Sequence, residues 1–306
     1  MNKNSSKNPI NLQAIFWILL CKTSFVTMMA MGKASSLPTI QINFCRSFSV
    51  FLITGCMIFF NKSLVFKTTN PTLQFLKVSV GAFGMIGYFY AFRYLEMAQG
   101  TTLSFTQALI LPVFAFLFLK EKIGTRRIMA LIVGYAGIIV AINPLYGSFS
   151  LPEGIMLIAS ACGAFAVVCA KKLAAKDSPI LLMFYSGLAT SILLGIYYSI
   201  KGETIDFGPE GQWLDLTVDH VKFLSLLVFI SFIMQYSYLR AYALADVGFL
   251  APFDYVKLII STCVSLLVFD QIPSKETLLG AVLIIGSTVY LTKKDLRIKP
   301  QYNYKK

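Results

Sequence analysis

Histidine occurs once in the 306 residues, at His220, and that scarcity removes much of the chemistry a catalyst would need. There is no HExxH, no GxSxG, no P-loop and no histidine within an apolar run. Zinc hydrolysis, serine-nucleophile chemistry and phosphoryl transfer therefore lack their usual residues. Paired CxxC spacings are missing as well. The six cysteines, Cys21, Cys45, Cys56, Cys162, Cys169 and Cys263, all fall inside apolar runs, which reads as small, buried, reduced hydrophobes. No metal and no cofactor is expected.

Charge is the second scarcity. Only 13% of the residues are charged and 57% are hydrophobic, whereas soluble domains carry roughly 25% and 45–50%. One buried core cannot use that much apolar surface, so the chain is expected to face a lipid bilayer. A net charge of +13 would raise a nucleic-acid partner in a soluble protein. Here the basic residues stand in short clusters between apolar runs, as juxtamembrane anchors do, and no nucleic-acid partner is expected. The first ten residues are polar. The apolar run after them is too long for a signal peptide and lacks a small-residue cleavage pattern, so it reads as a retained first span.

What is present in abundance is membrane-length hydrophobic sequence. A hydrocarbon core of about 30 Å needs about 20 helical residues. Ten stretches qualify: 12–31, 39–60, 75–93, 99–119, 127–145, 153–171, 180–199, 222–241, 248–269 and 277–292. With a cytoplasmic N-terminus, the inside segments hold eighteen Lys and Arg residues and the outside segments hold five: Lys33, Arg93, Lys201, Lys222 and Lys275. That asymmetry follows the positive-inside rule and puts both basic tails in the cytoplasm. The longest loop, Ile200 to His220, then lies outside; it is acidic and reads as a solvated loop.

The two halves of the chain match each other. FRYLEMAQGTTLSF (92–105) aligns with RAYALADVGFLAPF (240–253), bringing Tyr94 onto Tyr242, Gly100 onto Gly248 and Phe105 onto Phe253. KEKIGTRRIMALIVGYAG (120–137) aligns with FDQIPSKETLLGAVLIIG (269–286), bringing Glu121 onto Asp270, Ile123 onto Ile272 and Gly137 onto Gly286. Five spans per half is an odd number, so the halves enter the membrane in opposite directions. The expected fold is an all-α membrane protein of ten transmembrane helices, arranged as two inverted five-helix repeats, residues 1–147 and 148–306. Two such halves rock about a central site in many secondary transporters.

At these residues the sequence resembles the EamA-type drug/metabolite transporter superfamily. The resemblance rests on Tyr90-Ala91 with Arg93-Tyr94 at the end of span three, Pro112 in span four and Glu121 before a glycine-containing span five. It is repeated in the second half by APFDY (251–255), Asp270, Pro273 and LLGAVLIIGS (278–287). The APFDY…FDQIPS…TLLGA run is similar to the branch that includes bacterial metabolite carriers and S-adenosylmethionine uptake proteins. Asp270 departs from the glutamate usual there. The resemblance implies a central cavity lined by spans one to four and six to nine, peripheral spans five and ten, and a bacterial inner-membrane location.

Charges inside a span cost about 2.5–3.5 kcal/mol each, so they mark functional candidates. Lys22, Arg46, Asp254 and Lys257 are such charges. Lys22 and Lys257 sit about 15 Å from the inner ends at ~1.5 Å per residue, in one layer. Asp254 and Lys257, three apart, share a helical face. Lys77 lies near enough to the inner interface to snorkel and reads as an anchor. The surplus of positive charge favours an anionic or zwitterionic guest, with Lys22 and Arg46 attracting its carboxylate or phosphate. Asp254 balances Lys257 or binds a substrate ammonium or a proton. The competing structural reading pairs Asp254 with Lys257 and Lys22 only to hold helices together.

Tyr88, Tyr90, Gln107, Tyr185, Gln235, Tyr238 and Tyr255 are further cavity candidates for stacking or hydrogen bonding, with helix packing as the alternative for each. Pro112 and Pro252 are expected to interrupt spans four and nine at unaligned positions, since Pro252 aligns with Ser104. Gly81, Gly84 and Gly87 are expected to let helices approach closely.

The function expected is secondary transport of a small organic metabolite, such as an amino acid or S-adenosylmethionine. Coupling to a proton or a counter-metabolite and the oligomeric state stay open. The alternatives are an exporter of drugs or metabolites of the same superfamily, an intramembrane enzyme, and a channel. The enzyme lacks an acid–base pair, and the channel lacks rings of like groups.

Overall fold

The structure is a computed structural model that describes residues 12–61, 66–119, 125–142, 149–174, 176–200, 213–245, 250, 253 and 256–295. The described helices are, in chain order, α1 (Leu12–Ala34), α2 (Thr39–Phe60), α3 (Pro71–Tyr94), α4 (Met97–Ser104), α5 (Thr106–Leu119) and α6 (Thr125–Ile142). They continue with α7 (Leu151–Ala174), α8 (Pro179–Ile200), α9 (Val218–Leu244), α10 (Val256–Val268) and α11 (Lys275–Asp295). No strand occurs among the described residues. Only helices and closed barrels satisfy every backbone group inside lipid, which is why so apolar a chain resolves into helices. Six of them, α1, α2, α3, α7, α8 and α9, are long and apolar enough to cross a membrane on length and composition.

Helix ends fall where local chemistry places them. The Asn70 side chain accepts from the Leu73 N–H and Pro71 occupies the first turn, so α3 starts at Pro71, a turn earlier than the apolar run from 75 suggests. Thr217 caps α9 by accepting from the His220 N–H, and the His220 ring accepts in return from the Thr217 N–H.

Span four is two helices. The break falls at Phe105, between α4 and α5, and α5 runs through Pro112 without interruption. This corrects the expectation that Pro112 breaks the span. The cause is a run of buried hydroxyls, Thr101, Thr102, Ser104 and Thr106. Thr102 Oγ1 donates to the Ala98 carbonyl and Ser104 Oγ to the Thr101 carbonyl, and such back-bonding competes with the helix ladder. Phe105 aligns with Phe253, which forms a 3₁₀ turn in span nine. The two halves therefore carry their irregular turns at matched positions, one marked by hydroxyls and the other by the neighbouring Pro252, which itself lies outside the described residues.

The helix contacts carry the symmetry of an inverted repeat. Exchanging the halves sends spans one to five onto six to ten. The pair α1–α9 (spans one and eight) then becomes α3–α7 (three and six), and α2–α8, α4–α10 and α6–α11 each map onto themselves. Close approach needs small residues at the crossings. A Cβ on Gly187 of α8 would lie 2.8 Å from the Phe51 nitrogen of α2. A Cβ on Gly280 of α11 would lie 2.6 Å from the Gly137 carbonyl of α6, whereas Gly286, the residue aligned with Gly137, stands in open space. As expected for α3, Cβ atoms on Gly84 and Gly87 would come within 3.0 Å of Cys162 and Ala159 on α7; Gly81 sits more loosely, at 3.7 Å from Ala166.

We call the side from which α1 starts the terminal face. Near the opposite face the ends of α1, α2, α3, α4, α7 and α9 form one apolar cluster that includes Met28, Met29, Ile42, Phe92, Met97 and Met156. Near the terminal face a second cluster joins Ala170, Leu173, Leu182, Met183 and Leu239. No disulfide links the cysteines, but they are not uniformly buried: Cys56 and Cys263 lie exposed on the bundle surface, where apolar side chains meet lipid at no cost.

Candidate functional site

A cavity of about 190 Å³ lies between the two apolar clusters and between the two halves. Cys21, Tyr88 and Met234 belong both to its lining and to the opposite-face cluster, while Met183 and Leu239 join it to the terminal-face cluster. Of the residues expected at a site, Lys22, Arg46, Tyr88, Gln107, Gln235, Tyr238 and Lys257 line this one space. They come from α1, α2, α3, α5, α9 and α10, so they meet only through the fold.

Arg46 is the best-defined cation. It is 3% exposed. One terminal nitrogen donates to Ser231 Oγ at 3.1 Å across to α9, and the other reaches Asn43 Oδ1 at 3.4 Å and Ser47 Oγ at 3.2 Å. The guanidinium also faces the Phe89 ring at 5.8 Å. Its Nε meets no acceptor among the described residues. Gln235 Nε2 donates to the same Ser231 Oγ at 3.3 Å, so α2 and α9 share one polar knot.

Lys77 is corrected from an interface anchor to a cavity residue. It is 6% exposed and its Nζ donates to the Leu182 carbonyl at 3.1 Å and to Ser186 Oγ at 2.9 Å. The earlier start of α3 makes Lys77 the seventh helical residue, about 9 Å along the axis, too deep to snorkel out. Lys257 on α10 stands over the Phe105 ring at 4.3 Å, so the break in span four presents an aromatic face to a cavity cation. The Tyr88 hydroxyl donates to Gln107 Oε1 at 3.1 Å and lies 3.3 Å from Ser160 Oγ.

Two expected residues are elsewhere. Tyr90 packs on Tyr94, with ring centroids 4.9 Å apart, and does not line the cavity. Tyr185 points to the terminal-face loop, where its hydroxyl donates to the Phe66 carbonyl at 2.6 Å. One residue along a helix turns the side chain by about 100°, which is enough to bring Ser186 into the cavity instead. Asp254 and Tyr255 lie outside the described residues. Sequence reasoning missed the serines Ser186 and Ser231; a lone serine in an apolar run carries no signal until its cation partner is known. Among the described residues no group of His, Cys, Asp or Glu could hold a metal ion.

Side-chain hydrogen bonds join the two halves near both faces. At the opposite face Gln41 Nε2 donates to the Leu214 carbonyl at 2.8 Å and Oε1 accepts the Leu214 N–H at 3.1 Å, while Ser36 Oγ sits 3.3 Å from His220 Nε2. At the terminal face Asp177 accepts from the Thr68 hydroxyl at 2.5 Å and the Thr69 N–H at 3.1 Å. Each clasp ties one half of the chain to the other.

An inverted repeat of apolar helices around a cavity lined by cations is the architecture of a polytopic membrane transporter. The chain belongs to the EamA-like transporter family, whose model matches residues 12–143 and again 152–293. It is 27% identical over 281 residues to an S-adenosylmethionine uptake transporter of Rickettsia bellii, covering 90% of this chain and 92% of the relative. A riboflavin transporter of Brucella anthropi is 25% identical over 267 residues, with 86% and 91% covered. A pseudopaline exporter of Pseudomonas aeruginosa is 22% identical over 279 residues, with 90% and 94% covered. A solved crystal structure overlays with a TM-score of 0.62 at 16% identity, covering 94% of this chain and 98% of the other, which extends the likeness to the fold. Family and relatives are transporters and not enzymes; the chain is a multi-pass membrane protein that handles a small molecule.

Proposed function

We propose that this chain is a secondary carrier that moves a small anionic or zwitterionic organic metabolite across a bacterial inner membrane by alternating access. The repeats 1–147 and 148–306 act as the two rocking units, and both termini are cytoplasmic. The observation that carries the reading is the cavity between the halves, into which Lys22, Arg46, Lys77 and Lys257 converge from four different spans. Buried cations are retained at such cost where they meet a guest. A carboxylate, such as an amino acid carries and as the cargo named for the Rickettsia relative also contains, is the kind of group that Lys22 and Arg46 would hold. Tyr88, Gln107, Gln235 and Tyr238 supply ring faces and amides around it. Asp254, which the sequence puts inside span nine, is the proton or ammonium partner in this reading. Direction follows the gradient, since alternating access runs either way.

The experiment is solute counterflow with purified protein in liposomes. A labelled metabolite should enter saturably and faster when unlabelled metabolite is trapped inside. Flux that stays linear with concentration and ignores the trapped solute overturns the carrier reading.

A further inference from the structure

Arg46 and Lys77 differ from an ordinary buried ion pair: among the described residues, all of their partners are uncharged. They also lie at different depths. Arg46 is seven residues past the start of α2 at the opposite face, and Lys77 six residues past the start of α3 at the terminal face, so about 10 Å and about 9 Å in at ~1.5 Å per residue. The 22 residues of α2 span about 33 Å, which leaves roughly 14 Å between the two levels before the long side chains reach toward each other. Exchanging the halves converts the Arg46–Ser231 bond, from span two to span eight, into a bond between spans seven and three. Lys77–Ser186 is such a bond, with the cation on span three. The cavity thus has one cationic pole toward each face, each seated on a serine of the other half.

We propose that the cargo is an organic dianion, with one anionic group on Arg46 and the other on Lys77, and that net-cationic molecules are not carried. The inference rests on the carrier reading above and narrows it. Of the fourteen acidic residues only Asp254 falls well inside a span, and the described partners of Arg46 and Lys77 are all neutral, so these two cations leave a positive surplus at the cavity. In a low-dielectric space a like-charge surplus is costly. A zwitterionic amino acid leaves the surplus unchanged. S-adenosylmethionine, with a sulfonium and an ammonium against one carboxylate, increases it. A monoanion satisfies one pole only. A dicarboxylate or a phosphorylated carboxylic acid satisfies both, and each offers oxygen acceptors to the guanidinium and ammonium donors.

Counterflow in proteoliposomes should compare four labelled solutes: a dicarboxylate, a phosphorylated carboxylic acid, a zwitterionic amino acid and S-adenosylmethionine. One dianion arm should exchange saturably, and which arm does so separates carboxylate from phosphate chemistry. Arg46→Gln and Lys77→Gln should each lower dianion flux at least about tenfold, the scale of a lost charged hydrogen bond. Arg46→Lys and Lys77→Arg should keep most of it. If a glutamine variant fails to fold, inhibition of wild-type flux by unlabelled dianion decides instead. Exchange of S-adenosylmethionine or the amino acid that dianions do not compete with overturns the dianion proposal and leaves the carrier standing. No saturable exchange in any arm overturns both.

Discussion

A buried lysine or arginine in a membrane helix is a costly residue, and this bundle keeps three, Arg46, Lys77 and Lys257, with half-buried Lys22 around one space. The side chains meet their cost in different ways. Arg46 spreads its charge over Ser231, Asn43, Ser47 and the Phe89 ring, and Lys257 uses the face of Phe105. Lys22 comes from α1 into the same lining. Lys22→Met keeps the stem volume and removes the charge. Uptake should fall to background while the protein stays in the membrane fraction; uptake at the wild-type level would remove Lys22 from the mechanism. At this scale the sequence showed which residues were costly but not which faced the cavity. Tyr185 and Ser186 are neighbours, and only the serine lines it, because helix rotation about the axis is set by packing partners that the local sequence does not name.

Among the elements, crossings and breaks decide how the halves move. The α2–α8 crossing lies on the pseudo-two-fold relation, and Gly187 there touches the backbone of Ser47 and Phe51. Gly187→Leu would force a side chain into backbone that has no room to shift. Stability should drop by about 1–3 kcal/mol or more, the scale of overpacking, read as a lower unfolding temperature in detergent. The equivalent change at Gly286, which has nothing within 4 Å, should leave that temperature unchanged. The sequence puts the interruption of span four at Pro112, and the alignment of Pro252 with Ser104 reads there only as a mismatch of the two prolines, although α4 ends at Ser104. Pro112 misled because a proline can sit in a membrane helix without ending it when neighbours absorb the freed groups.

In the whole molecule two clasps, one at each face, join the same two halves. Alternating access requires one to open while the other stays shut. The Thr68 hydroxyl and the Asp177 carboxylate are in direct contact, which makes these positions the pair at which to test a cysteine cross-link. Thr68→Cys with Asp177→Cys, oxidised, should lock the terminal face and stop counterflow, and reductant should restore it. Each single variant should be indifferent to oxidant. Flux through the oxidised double variant at the reduced rate would show that this clasp does not open during the cycle.

Composition and periodic repetition alone determined that this chain lives in lipid, crosses it many times and is built twice over in opposite senses. Those properties are sums over long stretches, and 57% hydrophobic residues with two aligned halves leave few other solutions. Only the tertiary structure decided the site. Lys77 became a cavity residue through an Asn70 cap that starts α3 a turn early, and Ser186 and Ser231 acquired meaning through cations on other helices. Side-chain direction and depth depend on caps, crossings and partners far apart in the chain, and these are settled when the helices pack.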